Sequence, residues 1–242
     1  MKRVTKVNSL RKIRVIYFLI SLFILFLMGQ VCRPLHPDTF LINHLTSEIH
    51  LDGNIGEMEW NNATTITSLQ SPWMPAEQDS TIFRCFCSTK YFNFCFEVID
   101  RSLIILDYTD EMTIAEGDRV ELFFSSSSKL SPYYCIEMNP HGDILDYKAE
   151  HYRKFDYFWN FSHHNVVGKI TSNGYIVEGC IPIPELKTLG IDFKKGFYLG
   201  VFRADFTEEN ENSVIWYSWI NPQVKEPDFH IPSAFGKCKL KI

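Results

Sequence analysis

The sequence has 242 residues, of which 45% are hydrophobic and 15% aromatic, and its formal net charge is −5 at pH 7. This composition excludes a largely disordered chain, because so many apolar side chains can bury a sizeable core. The acidic balance argues against nucleic-acid binding, which normally requires a basic surface. One aromatic-rich globular domain behind a targeting segment is expected.

The N-terminal residues have the pattern of an export signal. Met1–Arg14 carries six basic residues and no acidic ones, and the fourteen residues of Val15–Met28 are apolar except for Ser21. Fourteen helical residues rise about 21 Å, less than the roughly 30 Å hydrocarbon core of a bilayer. We therefore expect residues 1–32 to be a signal peptide or a membrane anchor, with lipidation at Cys32 as a third option. The protein is expected to be periplasmic, extracellular or associated with the cell envelope.

Residues 33–46 contain two prolines and no clear period, which predicts a linker. From residue 47 onward, short runs of strand-forming residues alternate with turn residues. The predicted strands are 49–51, 81–88, 91–99, 119–126, 133–139, 143–150, 165–171, 175–183, 197–206, 213–220 and 237–242. Helix is expected only at 57–60 and 184–189. This spacing predicts one all-β domain over 47–242, a single antiparallel β-sandwich with very little helix.

Alternation along the predicted strands separates core residues from surface residues. Val120 and Leu122 share one face of their strand, which leaves Glu121 on the opposite face. Trp216 and Trp219 are an odd number of positions apart, so a regular strand places them on opposite faces. We expect one of these tryptophans in the core and the other free to contact a ligand.

Sequence motifs of known catalytic sites are absent, including the nucleophile elbow, the zinc-protease helix and the phosphate-binding loop. The neighbouring His163 and His164 would point to opposite faces of a strand and could not share one ion. Many carboxylates are present, but the sequence does not select a pair at the spacing that glycoside hydrolysis requires. An enzyme is therefore not expected.

Binding of sugars has better support from the residues present. A sugar offers flat apolar faces surrounded by hydroxyls, and a protein holds it with aromatic rings and with carboxylate, amide or guanidinium groups. Trp73, Trp159, Trp216 and Trp219 all lie near predicted turns. Trp219 is the preferred platform for a ligand, with Trp159, Trp73 and then Trp216 as alternatives.

Six motifs in chain order resemble carbohydrate-binding module family 9. They are LDGNIGEMEW (51–60), FNFCFEVIDRS (92–102), GDRVELFFSS (117–126), YYCIEMNPHGDILDY (133–147), GYIVEGCIPIPEL (174–186) and WYSWINPQVKEPDFHIPSAFGKCKL (216–240). Together they cover nearly everything from 49 to 242. The resemblance implies a DOMON-like sandwich without catalytic machinery that binds sugars or the ends of glycans.

The resemblance also implies a sugar clamped between two tryptophans beside a glutamate, a basic residue and an amide. Glu121 matches the glutamate, and Lys148 stands for the basic residue. Trp219 and Asn221 fall in the region that supplies the second tryptophan and the amide.

One part of the family pattern is missing from this sequence. The first tryptophan should lie shortly before Glu121, but residues 112–119 contain no aromatic residue, so Tyr108 or Trp159 would have to replace it. Arg203 shares a face with Asp205 and either pairs with it or reaches the same ligand.

The expected partners are oligosaccharide or polysaccharide ends, bound by a monomer. No cofactor is expected; some family members hold structural calcium, but no ligand set can be transferred to this sequence. Two alternatives remain open. Relatives of this fold hold haem b through Met and His, for which Met138 with His141 or His230 is available. The other is an enzyme associated with glycoside hydrolases, although the sandwich leaves no room in this sequence for a catalytic domain.

Overall fold

The computed structural model describes residues 39–74, 80–207 and 214–241. Its strands form two sheets. The strands are β1 (Phe40–Ile42), β2 (Thr64–Ile66), β3 (Thr81–Cys87), β4 (Tyr91–Ile99), β5 (Arg119–Ser125), β6 (Tyr133–Met138), β7 (Ile144–Glu150), β8 (Lys154–Asp156), β9 (Asn165–Thr171), β10 (Gly174–Pro182), β11 (Phe197–Phe206), β12 (Val214–Ser218) and β13 (Gly236–Leu240). The helices in these ranges are the α-helices Met58–Asn62 and Ile183–Thr188 and the 3-10 helices Glu111–Glu116 and Pro232–Ala234.

The two sheets face each other across a common core. The larger sheet has the order β1-β13-β11-β5-β6-β7-β8, with β12 also paired to β11, and the smaller has the order β2-β3-β4-β10-β9. Only β1 and β13 run parallel among the paired strands of the described residues. Phe83, Phe96 and Val177 of the smaller sheet share this core with Phe124 and Leu199 of the larger one. The predicted all-β antiparallel sandwich is confirmed.

The larger sheet has an outer face, defined here as the face that points away from the smaller sheet. Along β5, Val120 and Leu122 lie in the core between the sheets, so Glu121 and Phe123 lie on the outer face, as alternation predicts. Phe123 belongs to a second apolar cluster with Phe229, which comes from the segment between β12 and β13. Because this segment covers part of the outer face, polar side chains on that face, such as Glu121 and Glu137, are buried.

The sandwich begins earlier than the sequence predicts. Phe40–Ile42 lies in the predicted linker 33–46 but forms β1, and Ile42 is fully buried. The sequence also misses the three-residue strands β2 and β8, whereas the predicted strand 49–51 is not a strand. The predicted signal or anchor, residues 1–32, lies outside the described residues. None of the helices in the described ranges has the length and apolar composition that a membrane span requires.

The opening Asp-Gly and Trp motif is held by one buried carboxylate. Glu178 of β10 accepts a hydrogen bond from Trp60 Nε1 at 2.8 Å. The same carboxylate accepts hydrogen bonds from the backbone N–H groups of Gly53 at 2.7 Å and Asp52 at 3.2 Å. Gly53 has a φ of +74°, which glycine adopts without a steric penalty. Trp60 packs edge-to-face on Phe86, so the motif is structural and covers the side of the smaller sheet that points away from the larger one.

Replacing Trp60 with alanine is expected to lower the free energy of unfolding by about 3–5 kcal/mol, because it leaves a cavity in the structure. The change also removes a donor from the buried Glu178. Trp60→Phe keeps most of the ring and should cost less, which separates the hydrogen bond from the packing. Thermal unfolding followed by circular dichroism measures both variants. A Trp60→Ala protein with an unchanged Tm would contradict the structural role.

Candidate functional site

A pocket of about 280 Å³ opens on the outer face of the larger sheet. Side chains of β5, β6 and β7 form its floor. The 3-10 helix Glu111–Glu116, β8 and the segment between β12 and β13 form its walls. Aromatic, acidic and basic side chains therefore converge on one concave surface, which is the usual composition of a small-molecule site.

Two acidic residues share the floor of the pocket with one arginine. Glu121 of β5 and Glu137 of β6 stand directly opposite each other in the sheet. Arg119 Nε lies 3.0 Å from Glu121 Oε1 and 2.7 Å from Glu137 Oε2, so a single guanidinium faces both carboxylates. The Tyr147 hydroxyl donates to Glu137 Oε1 at 2.7 Å. Like charges directly opposite each other destabilise a sheet, and the shared Arg119 guanidinium offsets this repulsion.

The two carboxylates differ in how their oxygens are satisfied. Both oxygens of Glu137 accept hydrogen bonds, one from Arg119 and one from Tyr147. Glu121 is 1% exposed, and its buried Oε1 lies 3.0 Å from Arg119 Nε in an ion pair. The Arg119 Nε–H is directed at Glu137, so Oε1 accepts no aligned hydrogen bond from the residues that the structure describes. Burial and the adjacent Glu137 charge raise the pKa of Glu121. Glu121 Oε1 is therefore ion-paired and shielded from water, and it is less completely satisfied than the two oxygens of Glu137.

Replacing Glu121 with glutamine is expected to stabilise the fold at alkaline pH. The raised pKa means that the folded protein binds this proton more tightly than the unfolded chain, in which the carboxyl titrates near 4.5. The contribution of Glu121 to stability is therefore complete below pH 4.5 and is lost as the pH rises through the folded pKa. Glutamine resembles the neutral acid, so the Tm of Glu121→Gln at about pH 8 should exceed that of the wild type by about 2–4 °C, equivalent to about 1 kcal/mol. The difference should shrink near pH 5, and an equal or lower Tm at pH 8 would contradict a destabilised carboxylate.

Aromatic side chains flank the acidic pair on both sides. On the β12 side, Trp216 is half-buried, with the Arg119 guanidinium carbon 5.6 Å from its ring centroid. Phe229 packs edge-to-face on Trp216 at 5.4 Å. On the β8 side, Tyr157 is 43% exposed and contacts Tyr147 at a centroid distance of 5.0 Å. Flat rings beside polar groups can stack on the apolar face of a cyclic ligand while the carboxylates bind its polar groups.

The wall between β12 and β13 is held in place by several contacts. The His230 ring stacks on Phe123 at 5.2 Å, and its Nδ1 lies 3.0 Å from the Tyr133 hydroxyl. Arg153 Nη2 donates to Asp228 Oδ1 at 3.0 Å. Burial and the nearby Arg153 charge lower the pKa of His230 to about 3, so the ring is neutral at physiological pH. These contacts hold the wall in place before a ligand binds, which reduces the conformational entropy that binding would cost.

Comparison with known proteins assigns the chain to a family. Residues 51–242 match the family model described as carbohydrate family 9 binding domain-like. The chain belongs to this family. The resemblance of the sequence motifs is thereby confirmed, and the role of a family 9 domain is non-catalytic carbohydrate binding.

Solved structures share the fold of this family 9 domain at low sequence identity. A protein from Bacteroides uniformis ATCC 8492 has a TM-score of 0.59 and 15% identity, covering 83% of this chain and 100% of that one. A family 9 module from Caldicellulosiruptor kristjanssonii in complex with glucose has a TM-score of 0.55 and 17% identity, covering 83% and 95%. A family 9 module from Caldicellulosiruptor kristjanssonii in complex with cellotriose has a TM-score of 0.54 and 18% identity, covering 83% of this chain and 93% of that one. A search of curated proteins finds no significant match.

Glu121 is the only one of the predicted ligand residues that lines the pocket of this family 9 domain. Trp219 instead packs on Phe40 at 5.0 Å, beside the core between the sheets, and its ring lies against Gly236. Trp216 lies on the outer face beside Glu121. The prediction of opposite faces is confirmed: Trp219 packs beside the core between the sheets, and Trp216 lies on the outer face.

Three other predicted ligand residues lie away from the pocket. Lys148 points to the opposite side of β7, where its Nζ lies 3.1 Å from Asp156 Oδ2. Asn221 is exposed after the end of β12. Trp159 packs on Tyr134 at 4.9 Å, next to the core. Strand parity and proximity to a turn were therefore not sufficient to predict which side chains lie beside Glu121.

Arg203 is the centre of a buried ion-pair cluster and does not line the pocket. Its Nη2 lies 2.8 Å from Asp100 Oδ2 and 3.0 Å from Asp205 Oδ2. Its Nη1 donates to Thr81 Oγ1 at 3.3 Å. Arg203 and Asp205 lie on β11 of the larger sheet, whereas Thr81 lies on β3 of the smaller one, so the cluster joins the sheets. Of the two roles that the sequence left open for Arg203, pairing with Asp205 is the one observed.

The same cluster contains the acids that could hold a metal ion. Carboxylate oxygens of Asp100, Asp118 and Asp205 lie within 4.8 Å of one another. However, the Arg203 guanidinium already contacts two of these acids. Burial raises the pKa of Asp118 to about 7, so this acid also retains a proton readily. The cluster thus carries its own positive charge and fits a calcium ion poorly.

The residues suggested for haem do not share a pocket. Met138 is fully buried in the core between the sheets, whereas His230 lies on the outer face of the larger sheet. His141 is exposed in the turn after β6. The sheet itself separates Met138 from the pocket, so this methionine cannot bind a ligand there.

Proposed function

We propose that the pocket binds one end of a neutral sugar chain. In this proposal, Trp216 stacks on the apolar face of the terminal sugar, and Glu121 accepts hydrogen bonds from its hydroxyls. The observation that carries the proposal is a concave pocket in which Trp216 lies beside the ion-paired Glu121, Arg119 and Glu137. Glu121 Oε1 has an ion-pair partner but no aligned hydrogen bond, which costs stability, and a hydroxyl donor of the ligand would offset part of that cost.

The size of the pocket supports a chain end as the ligand. Its volume of about 280 Å³ is near the lower limit of small-molecule sites, which is roughly 300 Å³. One or two sugar rings suit this space better than the middle of a long polysaccharide. The glucose and cellotriose complexes of family 9 modules support glucose-based chains as the first ligands to test.

Calorimetric titration with cello-, xylo- and galacto-oligosaccharides tests the proposal. The wild type should bind at least one series, and at a pH above the raised pKa of Glu121, where this residue is ionised, Glu121→Gln should weaken that binding about tenfold, equivalent to about 1.4 kcal/mol. Asn221→Ala is the matched control, because Asn221 was predicted as a ligand but is exposed outside the pocket. It should bind like the wild type. A wild type that binds no sugar, or a Glu121→Gln variant with full affinity, would contradict the proposal.

We also infer that the pocket does not hydrolyse glycosidic bonds. Hydrolysis requires two carboxylates with separate chemical roles across the scissile bond. Here Arg119 contacts both acids, and Tyr147 engages the remaining oxygen of Glu137. Incubation of the wild type with cello-oligosaccharides should release no reducing ends above a blank. Turnover that Glu121→Gln abolishes would contradict this inference.

We further infer that sugar binding requires no metal or cofactor, because Arg203 supplies positive charge to the buried acids. Dialysis against EDTA should leave both the Tm and the affinity for cellotriose unchanged. A fall in Tm that added calcium reverses would show that the acidic cluster holds a structural ion.

For residues 1–32 we propose a role in export, on the basis of their basic and then apolar sequence. The sugar ligand would then be met outside the cytoplasm, by a monomer. Fusing these residues to an alkaline phosphatase that is active only after export should give activity. Residues 33–242 alone should form a soluble monomer by light scattering. An inactive fusion, or aggregation of the shortened protein, would contradict the proposal.

A further inference from the structure

We propose that a second sugar subsite, formed by Tyr108 next to the pocket, binds the following units of a neutral oligosaccharide. This inference rests on the proposed sugar-binding function of the pocket and extends it from a single chain end to a groove. Three observations support it: the continuity of neighbouring cavities, the exposure of their apolar side chains, and their charge.

The pocket continues into a depression of about 520 Å³. Met112, Leu145 and Tyr157 line both the pocket and this depression, so the two cavities are adjacent. Tyr108 lines the depression but not the pocket. Tyr108 and Glu111 also line a third cavity of about 360 Å³. These cavities form one groove, which runs from the pocket past Tyr157 to Tyr108.

The large apolar side chains along this groove are exposed to solvent. Tyr108 is 51% exposed, Met112 46% and Tyr157 43%. A large contiguous apolar patch on a protein surface often marks an interaction site, and these three side chains line one continuous depression. The backbone near Tyr108 is fixed, because Asp110 caps the 3-10 helix by accepting a hydrogen bond from the Met112 N–H at 2.9 Å. The tyrosine is therefore presented on an ordered turn, next to the path that a chain leaving the pocket would follow.

Acidic residues determine which class of sugar suits the groove. Asp110 and Glu111 line the depression, and Asp143 lines the third cavity. No lysine or arginine lines the depression among the described residues, and the two arginines of the adjoining pocket, Arg119 and Arg153, are paired with Glu121, Glu137 and Asp228. Hydroxyls of a neutral sugar can donate to these carboxylates, whereas the carboxylate of a uronic acid would be repelled. The ligand class is therefore a neutral oligosaccharide longer than the pocket alone can hold.

Titration of the full chain with glucose and with cellotetraose tests the subsite. The wild type should bind cellotetraose more tightly than glucose. Tyr108→Ala should weaken cellotetraose binding about 3–10-fold, as expected for loss of one aromatic contact, and leave glucose binding unchanged. Tyr108→Phe keeps the ring and should retain most of the affinity. Phe158→Ala is the matched control, because Phe158 is 99% exposed but lies outside the groove, and it should bind like the wild type.

Each other outcome contradicts a specific part of the proposal. If Tyr108→Ala weakens both ligands equally, or neither, the subsite is overturned while the sugar-binding function of the pocket stands. If tetragalacturonate binds more tightly than cellotetraose, the neutral ligand class is overturned. If the wild type binds no sugar of any length, the proposed function itself fails, and the subsite fails with it.

Discussion

Replacing Arg203 with methionine is expected to lower the free energy of unfolding by about 3–5 kcal/mol, the usual cost of removing one partner from a buried ion pair. The Arg203 side chain is fully buried and contacts Asp100 and Asp205, with Asp118 in the same cluster. Without the guanidinium, these carboxylates lose a positive charge in the protein interior. Thr81 also loses the hydrogen bond that links the two sheets.

Thermal unfolding measures this effect as a fall in Tm of about 6–20 °C for a domain of this size. Arg101→Met is the matched control, because Arg101 is exposed and adjoins Asp100, and its Tm should be close to that of the wild type. If Arg203→Met does not fold, Arg203→Lys should fold with an intermediate loss, since lysine keeps the charge without the planar fork. An Arg203→Met protein as stable as the wild type would contradict the account of the cluster.

Replacing Trp216 with alanine is expected to weaken sugar binding at least tenfold while the fold remains intact. Trp216 is half-buried and lines the pocket with Glu121, so alanine removes the aromatic surface on which a sugar would stack. Trp219→Ala should have the opposite profile, because Trp219 packs on Phe40 and next to the core. It should lower the Tm and leave the affinity unchanged.

Calorimetry for affinity and circular dichroism for Tm, applied to both tryptophan variants, distinguish the two faces of the sheet. Full affinity in Trp216→Ala together with loss of binding in Trp219→Ala would place the ligand on the side that the sequence first favoured. If both variants lose affinity while both folds remain intact, binding cannot be assigned to the Trp216 face alone.

The fold was largely predictable because most strands carry their own signal. β5 alternates between apolar residues in the core and outward-facing residues, so Glu121 could be assigned to the outer face from Val120 and Leu122 alone. β1 has only three residues, and its place depends on parallel pairing with β13 at the other end of the domain. A local pattern contains no information about such a partner, so the start of the domain was predicted too late.

The site was less predictable because it depends on which residues of neighbouring strands are paired and on which face of each strand points to the core. Parity separates Trp216 from Trp219 but does not say which of them is buried. Ile215 and Tyr217 decide this by packing in the core between the sheets, which turns Trp216 outward. Glu137 was one of many acids in the sequence, and only the pairing of β5 with β6 places it opposite Glu121.

The most direct test of the proposed site follows the indole N–H signals of the five tryptophans by NMR during titration with cellotriose. Trp216→Phe assigns the Trp216 signal by its disappearance. The Trp216 signal should shift with saturation, whereas that of Trp60, which is hydrogen-bonded to Glu178, should not move. A saturable shift of the Trp219 or Trp159 signal, with the Trp216 signal unchanged, would contradict binding in this pocket.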